Sequence, residues 1–108
     1  MTRRIAMTIG VREEKLDEYL RLHEVVWPDV TARLTEAGIR NYTIFRHGLT
    51  LFSYFEFDGD DLEGAFAFIA EDPVTQEWWK LTDACQVRVE GTPDGEQWLA
   101  LDEVWHLD

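Results

Sequence analysis

The chain has 108 residues, 45% of them apolar, with 22 acidic against 10 basic side chains and a formal net charge of −12. This length supports one domain with a modest core, so residues 1–108 are read as a single unit. So acidic a chain is a poor partner for nucleic acid, whose phosphates need a basic surface, and for anionic membranes. It favours a neutral or cationic small molecule. Cys85 is the sole cysteine, which excludes an intrachain disulfide and fits a reducing compartment. No apolar leader follows Met1-Thr2-Arg3-Arg4 and no stretch approaches a membrane span, so the expected location is cytoplasmic.

Ile5, Met7, Ile9 and Val11 alternate with Ala6, Thr8 and Gly10, the pattern of a first strand whose second face is small enough for close packing. A helix follows from about Glu13 to Ala37, with Leu16, Leu20, Trp27, Val30 and Leu34 on one apolar face. Pro28 forces a kink or a restart, and Gly38 is the stop signal. Ile39–Arg46 reads as a second strand, and alternation puts Ile39 opposite Tyr42. His47-Gly48 is a hairpin signal. Leu51–Phe57 is apolar on both faces, with Leu51, Phe55 and Phe57 on one and Phe52 and Tyr54 on the other. Such a strand needs cover on both sides.

Asp58–Asp61 caps a helix carrying Leu62, Ala65, Phe66 and Ile69. Asp72-Pro73 starts another, with Val74, Trp78 and Leu81 on one face and Trp79 pointing elsewhere. Residues 86–97 are polar and read as a surface loop. Leu99, Leu101, Trp105 and Leu107 alternate through a last strand. The order strand, helix, strand, strand, helix, strand predicts an α+β, ferredoxin-like split βαβ fold. Helices would cover one face of its antiparallel sheet. The other face would present aromatic surface, which two copies packing sheet to sheet would bury in a homodimer.

His23 is the unusual residue of the first helix. It falls inside the apolar stripe, four residues after Tyr19 and just before the proline. It is either a hydrogen-bonded core residue or a proton-transfer group. The adjacent pair Trp78-Trp79 cannot share one core slot, because neighbours on a helix point about 100° apart. The pair suits a sugar, whose C–H face stacks on indole while its hydroxyls take donors; equally, one ring can pack inside and the other fill a dimer contact. His23, His47 and His106 have no ligand spacing, and there is no phosphate loop or calcium loop, so no metal and no cofactor is expected.

Tyr19-x-x-x-His23-x-x-x-Trp27-Pro28, Asn41-Tyr42-x-Ile44, Trp78-Trp79-Lys80 and Leu101-x-Glu103-Val104-Trp105-x-Leu107 together resemble the L-rhamnose mutarotase family. The resemblance implies a dimeric α+β barrel and an isomerase of the aldose 1-epimerase type. It implies an enzyme that interconverts the α and β anomers of L-rhamnose, or of a related 6-deoxy-L-hexose such as L-fucose, without a cofactor. It assigns the proton donor to His23 and substrate binding to Tyr19, Tyr42, Trp78 and Trp79. Imidazole suits ring opening and closure because it gives and takes protons near neutral pH. A carboxylate, a tyrosine or water is the base. Residues 83–97 depart from the family pattern. A cofactor-independent oxygenase and a non-catalytic sugar-binding module are the alternative readings for such a fold.

Overall fold

A computed structural model describes residues 2–108. Strand β1 (Thr2–Val11) leads through a single 3-10 turn into α1 (Leu16–Leu22), followed by α2 (Pro28–Glu36), β2 (Ile39–His47) and β3 (Thr50–Asp58). Then come α3 (Leu62–Ala70), α4 (Pro73–Asp83), β4 (Gln86–Val87) and β5 (Leu99–Leu101). The sheet order is β2-β3-β1-β4, with β5 also on β1, and every pairing is antiparallel. This is the expected ferredoxin-like sheet, with the helices on one face. No helix is long and apolar enough to cross a membrane among the described residues.

The predicted last strand needs correction. Two short pieces share the outer edge of β1: β4 opposite Gly10 and Val11, and β5 opposite Ala6, Met7 and Thr8. Gln86 and Val87 therefore belong to the sheet rather than to a loop. Gly10 makes room for them, because a Cβ there would lie 3.1 Å from the Val87 carbonyl oxygen. The segment between the pieces is tied down by Arg88, which donates to the carbonyls of Glu96 (2.8 Å), Thr92 (3.1 Å) and Pro93 (2.7 Å). Trp105 and Leu107 are not in a strand. The ladder ends at Leu101, and the chain beyond it leaves Val104 95%, Trp105 77% and Leu107 74% exposed.

The first helical region is two helices. Pro28 is the first residue of α2, where its missing N–H costs nothing. The buried residue of α1 is Tyr19 rather than Leu20, which lies outside. On α4 the buried row is Thr75, Trp78 and Thr82, and Leu81 is exposed. The Asp72 carboxylate caps that helix, accepting from the Thr75 N–H at 3.0 Å and from its hydroxyl at 2.7 Å. Asp61 caps α3 in the same way, accepting from the Gly64 N–H.

Two features of the sheet matter for the site. First, β2 carries a bulge between Arg40 and Thr43, with Asn41 in the left-handed region at φ 51°. The extra residue reverses the side-chain alternation. Ile39 is in the core, yet the Tyr42 ring also lies on the helix side, 5.4 Å from that of the buried Phe55. Second, the core is divided. Ile9, Val11, Tyr19, Leu51 and Cys85 form one cluster, and Ile39, Phe55, Phe57, Ala65 and Ile69 form the other. A seam runs between them under α1 and α4.

Candidate active site

His23 sits where α1 ends, with φ −90° and ψ 0°, and its backbone N–H is shared between the carbonyls of Tyr19 and Leu20. Its ring turns back over the helix so that Nδ1 lies 2.9 Å from the Tyr19 carbonyl oxygen. A carbonyl only accepts, so the neutral ring carries its hydrogen on Nδ1 and its lone pair on Nε2. No described residue hydrogen-bonds to Nε2.

Aromatic rings hold this geometry. The Tyr19 and His23 ring centroids are 4.3 Å apart, and Trp78 meets His23 edge-on at 5.4 Å. Trp27, the residue just before α2, meets Trp78 edge-on at 5.2 Å. Edge-to-face contacts of this kind each contribute about 0.5–1.5 kcal/mol beyond burial. Tyr19 and Trp78 are buried, whereas His23 and Trp27 are half-buried and form the outer part of the cluster. Trp79 is 38% exposed on α4 and its ring joins none of these pairs. Of the five residues singled out from the sequence, four are thus on the helix side of the sheet around the seam, and Trp79 stands apart.

The two phenols face each other's field across the seam. Burial pushes the Tyr42 hydroxyl up to about 12. The residue as a whole is 42% exposed, and that exposure moderates the shift. Burial also pushes Tyr19 well above the ordinary phenol range, helped by Tyr42 and Cys85 and opposed by the Gln86 amide beside it. Both phenols are therefore protonated at neutral pH and can donate a hydrogen bond. Gln86 is itself buried, and its Oε1 accepts from Gln97 Nε2 at 3.2 Å, which turns its own NH2 toward the seam. The sequence marked Gln86 only as part of a loop; a strand of two residues is too short to announce itself.

The remaining candidates contribute no chemistry to this site. Cys85 is fully buried, its thiol raised by burial and lying 3.4 Å from a Glu18 carboxylate oxygen. A separate surface hollow of about 290 Å³ lies between the end of α2 and the start of α3. It is lined by Glu36, Asp58, Asp60 and Asp61 and shares no residue with the aromatic cluster. No cluster of potential metal ligands occurs among the described residues.

A histidine with one nitrogen anchored and the other open, walled by tryptophan and backed by two neutral phenols, can bind a neutral polyol and move a proton on it. The family model for L-rhamnose mutarotase matches residues 4–107. The chain belongs to the L-rhamnose mutarotase family. An L-rhamnose mutarotase of Oceanobacillus iheyensis is 32% identical over 108 residues, covering 98% of this chain and 99% of that protein. The crystal structure of an L-rhamnose mutarotase from Formosa agariphila superposes with a TM-score of 0.75 at 22% identity, covering 98% of this chain and 99% of that one. Tetracenomycin F2 cyclase from Streptomyces glaucescens shares the fold at a TM-score of 0.71 and 16% identity. The fold thus hosts other chemistry, and the family assignment rests on sequence.

The buried phenols make this mutarotase-family protein sensitive to alkali. A free tyrosine ionises near pH 10, so the unfolded chain gives up its phenolic protons before the folded one does. Folded Tyr42 holds its proton up to about 12. The stability it contributes is present in full below about pH 10 and is lost as the pH rises toward the folded value. Urea midpoints should be flat between about pH 7 and 9 with respect to this group and fall above about pH 10. That fall should be shallower in Tyr42→Phe; an identical alkaline slope in the variant would mean that the hydroxyl is open to solvent.

Proposed function

We propose that the chain is a sugar mutarotase that interconverts the α and β anomers of L-rhamnose, or of a related 6-deoxy-L-hexose such as L-fucose, by acid/base ring opening and closure. That it is a sugar-acting enzyme of the isomerase kind follows from the family. The observation that carries the mechanism is the bond from His23 Nδ1–H to the Tyr19 carbonyl, because it commits all proton traffic to Nε2. Protonated Nε2 gives its proton to the ring oxygen as the C1–O bond breaks. The electron pair of the anomeric O–H becomes the new carbonyl, and its proton leaves to water or to a carboxylate. The aldehyde turns over, and closure runs the same steps backwards.

Tyr19 and Tyr42, kept protonated by burial, hold sugar oxygens as donors. Trp78 and Trp27 offer apolar surface to the ring face and the C6 methyl. Trp79 is assigned to substrate binding by the family resemblance; its place on the outer side of α4 makes it an entrance residue rather than part of the wall. A location in the cytoplasm belongs to this reading, in keeping with a lone buried thiol.

The test is exchange of magnetisation between the α and β anomeric protons of L-rhamnose. Enzyme should accelerate it beyond the buffer rate, and His23→Asn should lower the acceleration by about 10²–10⁴-fold with folding intact. A folded variant with undiminished rate would return His23 to the role of a packing residue.

A homodimer joined through the open sheet face is the second part of the proposal. On that face Phe45 is 60%, Phe52 42% and Leu101 42% exposed, and beyond β5 Val104, Trp105 and Leu107 are exposed as well. A contiguous apolar area of this kind is uncommon on a monomer. Light scattering at micromolar concentration should give twice the mass of the chain, about 25 kDa from 12.7 kDa each. A monomer at that concentration would leave the face without its partner.

A further inference from the structure

The helix-facing row of β3 runs Leu51, Ser53, Phe55, Phe57, and all four are buried, Ser53 to 3% exposure. Three are large hydrophobes. The fourth is a hydroxyl set between Met7 on one neighbouring strand and Ile44 on the other. A buried hydroxyl without a partner costs about 1–3 kcal/mol, so its presence in this row needs a reason. No described residue hydrogen-bonds to Ser53 Oγ, yet no fully buried side-chain oxygen or nitrogen among the described residues lacks a partner. Its small accessible area is therefore on the hydroxyl, which looks onto an internal space rather than into packed carbon.

That space is the seam of the site. Leu51 belongs to the same cluster as Tyr19, and Phe55 to the other and against Tyr42. Alternate residues of a strand stand about 7 Å apart, so Ser53 lies on the floor between the two phenols. The Tyr19 hydroxyl, in a residue only 2% exposed, is met by the Gln86 amide. Ser53 thus adds a third hydroxyl to the two phenols of this side of the sheet.

We propose that Ser53 is a specificity-determining residue of the mutarotase site, its Oγ hydrogen-bonding one ring hydroxyl of the 6-deoxyhexose. The assignment rests on the mutarotase reading above. A hydroxyl that serves the ligand rather than the fold explains why a serine interrupts an apolar row. Replacing it by alanine should leave the unliganded fold at least as stable.

The test compares wild type and Ser53→Ala on L-rhamnose and on its 2-, 3- and 4-deoxy analogues, by anomeric exchange under saturation and subsaturation. Wild type should lose about tenfold in kcat/KM on one of the three analogues more than on the other two, the scale of one neutral hydrogen bond. Ser53→Ala should lose about tenfold on L-rhamnose, mainly in KM, and nothing further on that one analogue. Ser53→Cys, close in size and a weak donor, should lie between and serves as the comparison if the alanine variant folds poorly. Equal losses on all four sugars, or none on any, with fold preserved, would overturn the assignment of Ser53 while leaving the mutarotase reading standing. A wild type that accelerates exchange of no sugar would overturn both.

Discussion

The hydrogen bond from His23 Nδ1 to the Tyr19 carbonyl, at 2.9 Å, is the contact on which the site depends. The last carbonyls of a helix have no partner within it. In α1 the Tyr19 carbonyl, which also accepts from the His23 backbone N–H at 3.3 Å, holds the imidazole of the same residue, and the helix stops at Leu22. Beyond it the chain runs on to Pro28, which has no N–H and starts α2. The break that looks like a defect in an amphipathic helix therefore does two things. It places His23 at the helix end, where its imidazole shares the Tyr19 carbonyl with its own backbone N–H, and it turns Trp27 inward against Trp78.

The rest of the fold surrounds this contact with a core in two parts. A single apolar core would fill the space between the helices and the sheet. Here the core is two clusters, with phenols, a buried amide and a buried serine between them. Each of those groups costs stability in an apolar setting unless something pairs with it. The protein recovers stability elsewhere, through capped helices at Asp61 and Asp72 and two well-filled clusters. The division between packed clusters and the polar groups between them is what the proposed sugar site draws on.

The order of elements, the hairpin at Gly48, the Gly38 stop and both aspartate caps were legible in the sequence, because each rests on local chemistry. So was the double-sided β3, whose inner row is buried while Phe52 faces out. His23 stood out as a polar residue on an apolar face. Three things were hidden, each for a reason of range. The bulge at Asn41 depends on pairing with β3, and without it strict alternation sends Tyr42 to the wrong face. Strand β4 is two residues placed by an edge of β1 far away in sequence. Ser53 has no local signature at all, although its position in register with Leu51 and Phe55 was the clue. The pairing of Trp78 with His23, rather than with Trp79, likewise needed α1 and α4 to be set side by side.

The central claim is that His23 is held with its hydrogen on Nδ1 and its Nε2 open to the substrate. Long-range proton–nitrogen correlation of histidine-labelled protein, recorded where imidazole is neutral, measures this directly. The account predicts that the His23 Nδ1 resonance is of the protonated, pyrrole type and Nε2 of the lone-pair type, and that adding L-rhamnose shifts Nε2 far more than Nδ1. A spectrum with the hydrogen on Nε2, or a pattern of averaged tautomers unaltered by the sugar, would contradict it.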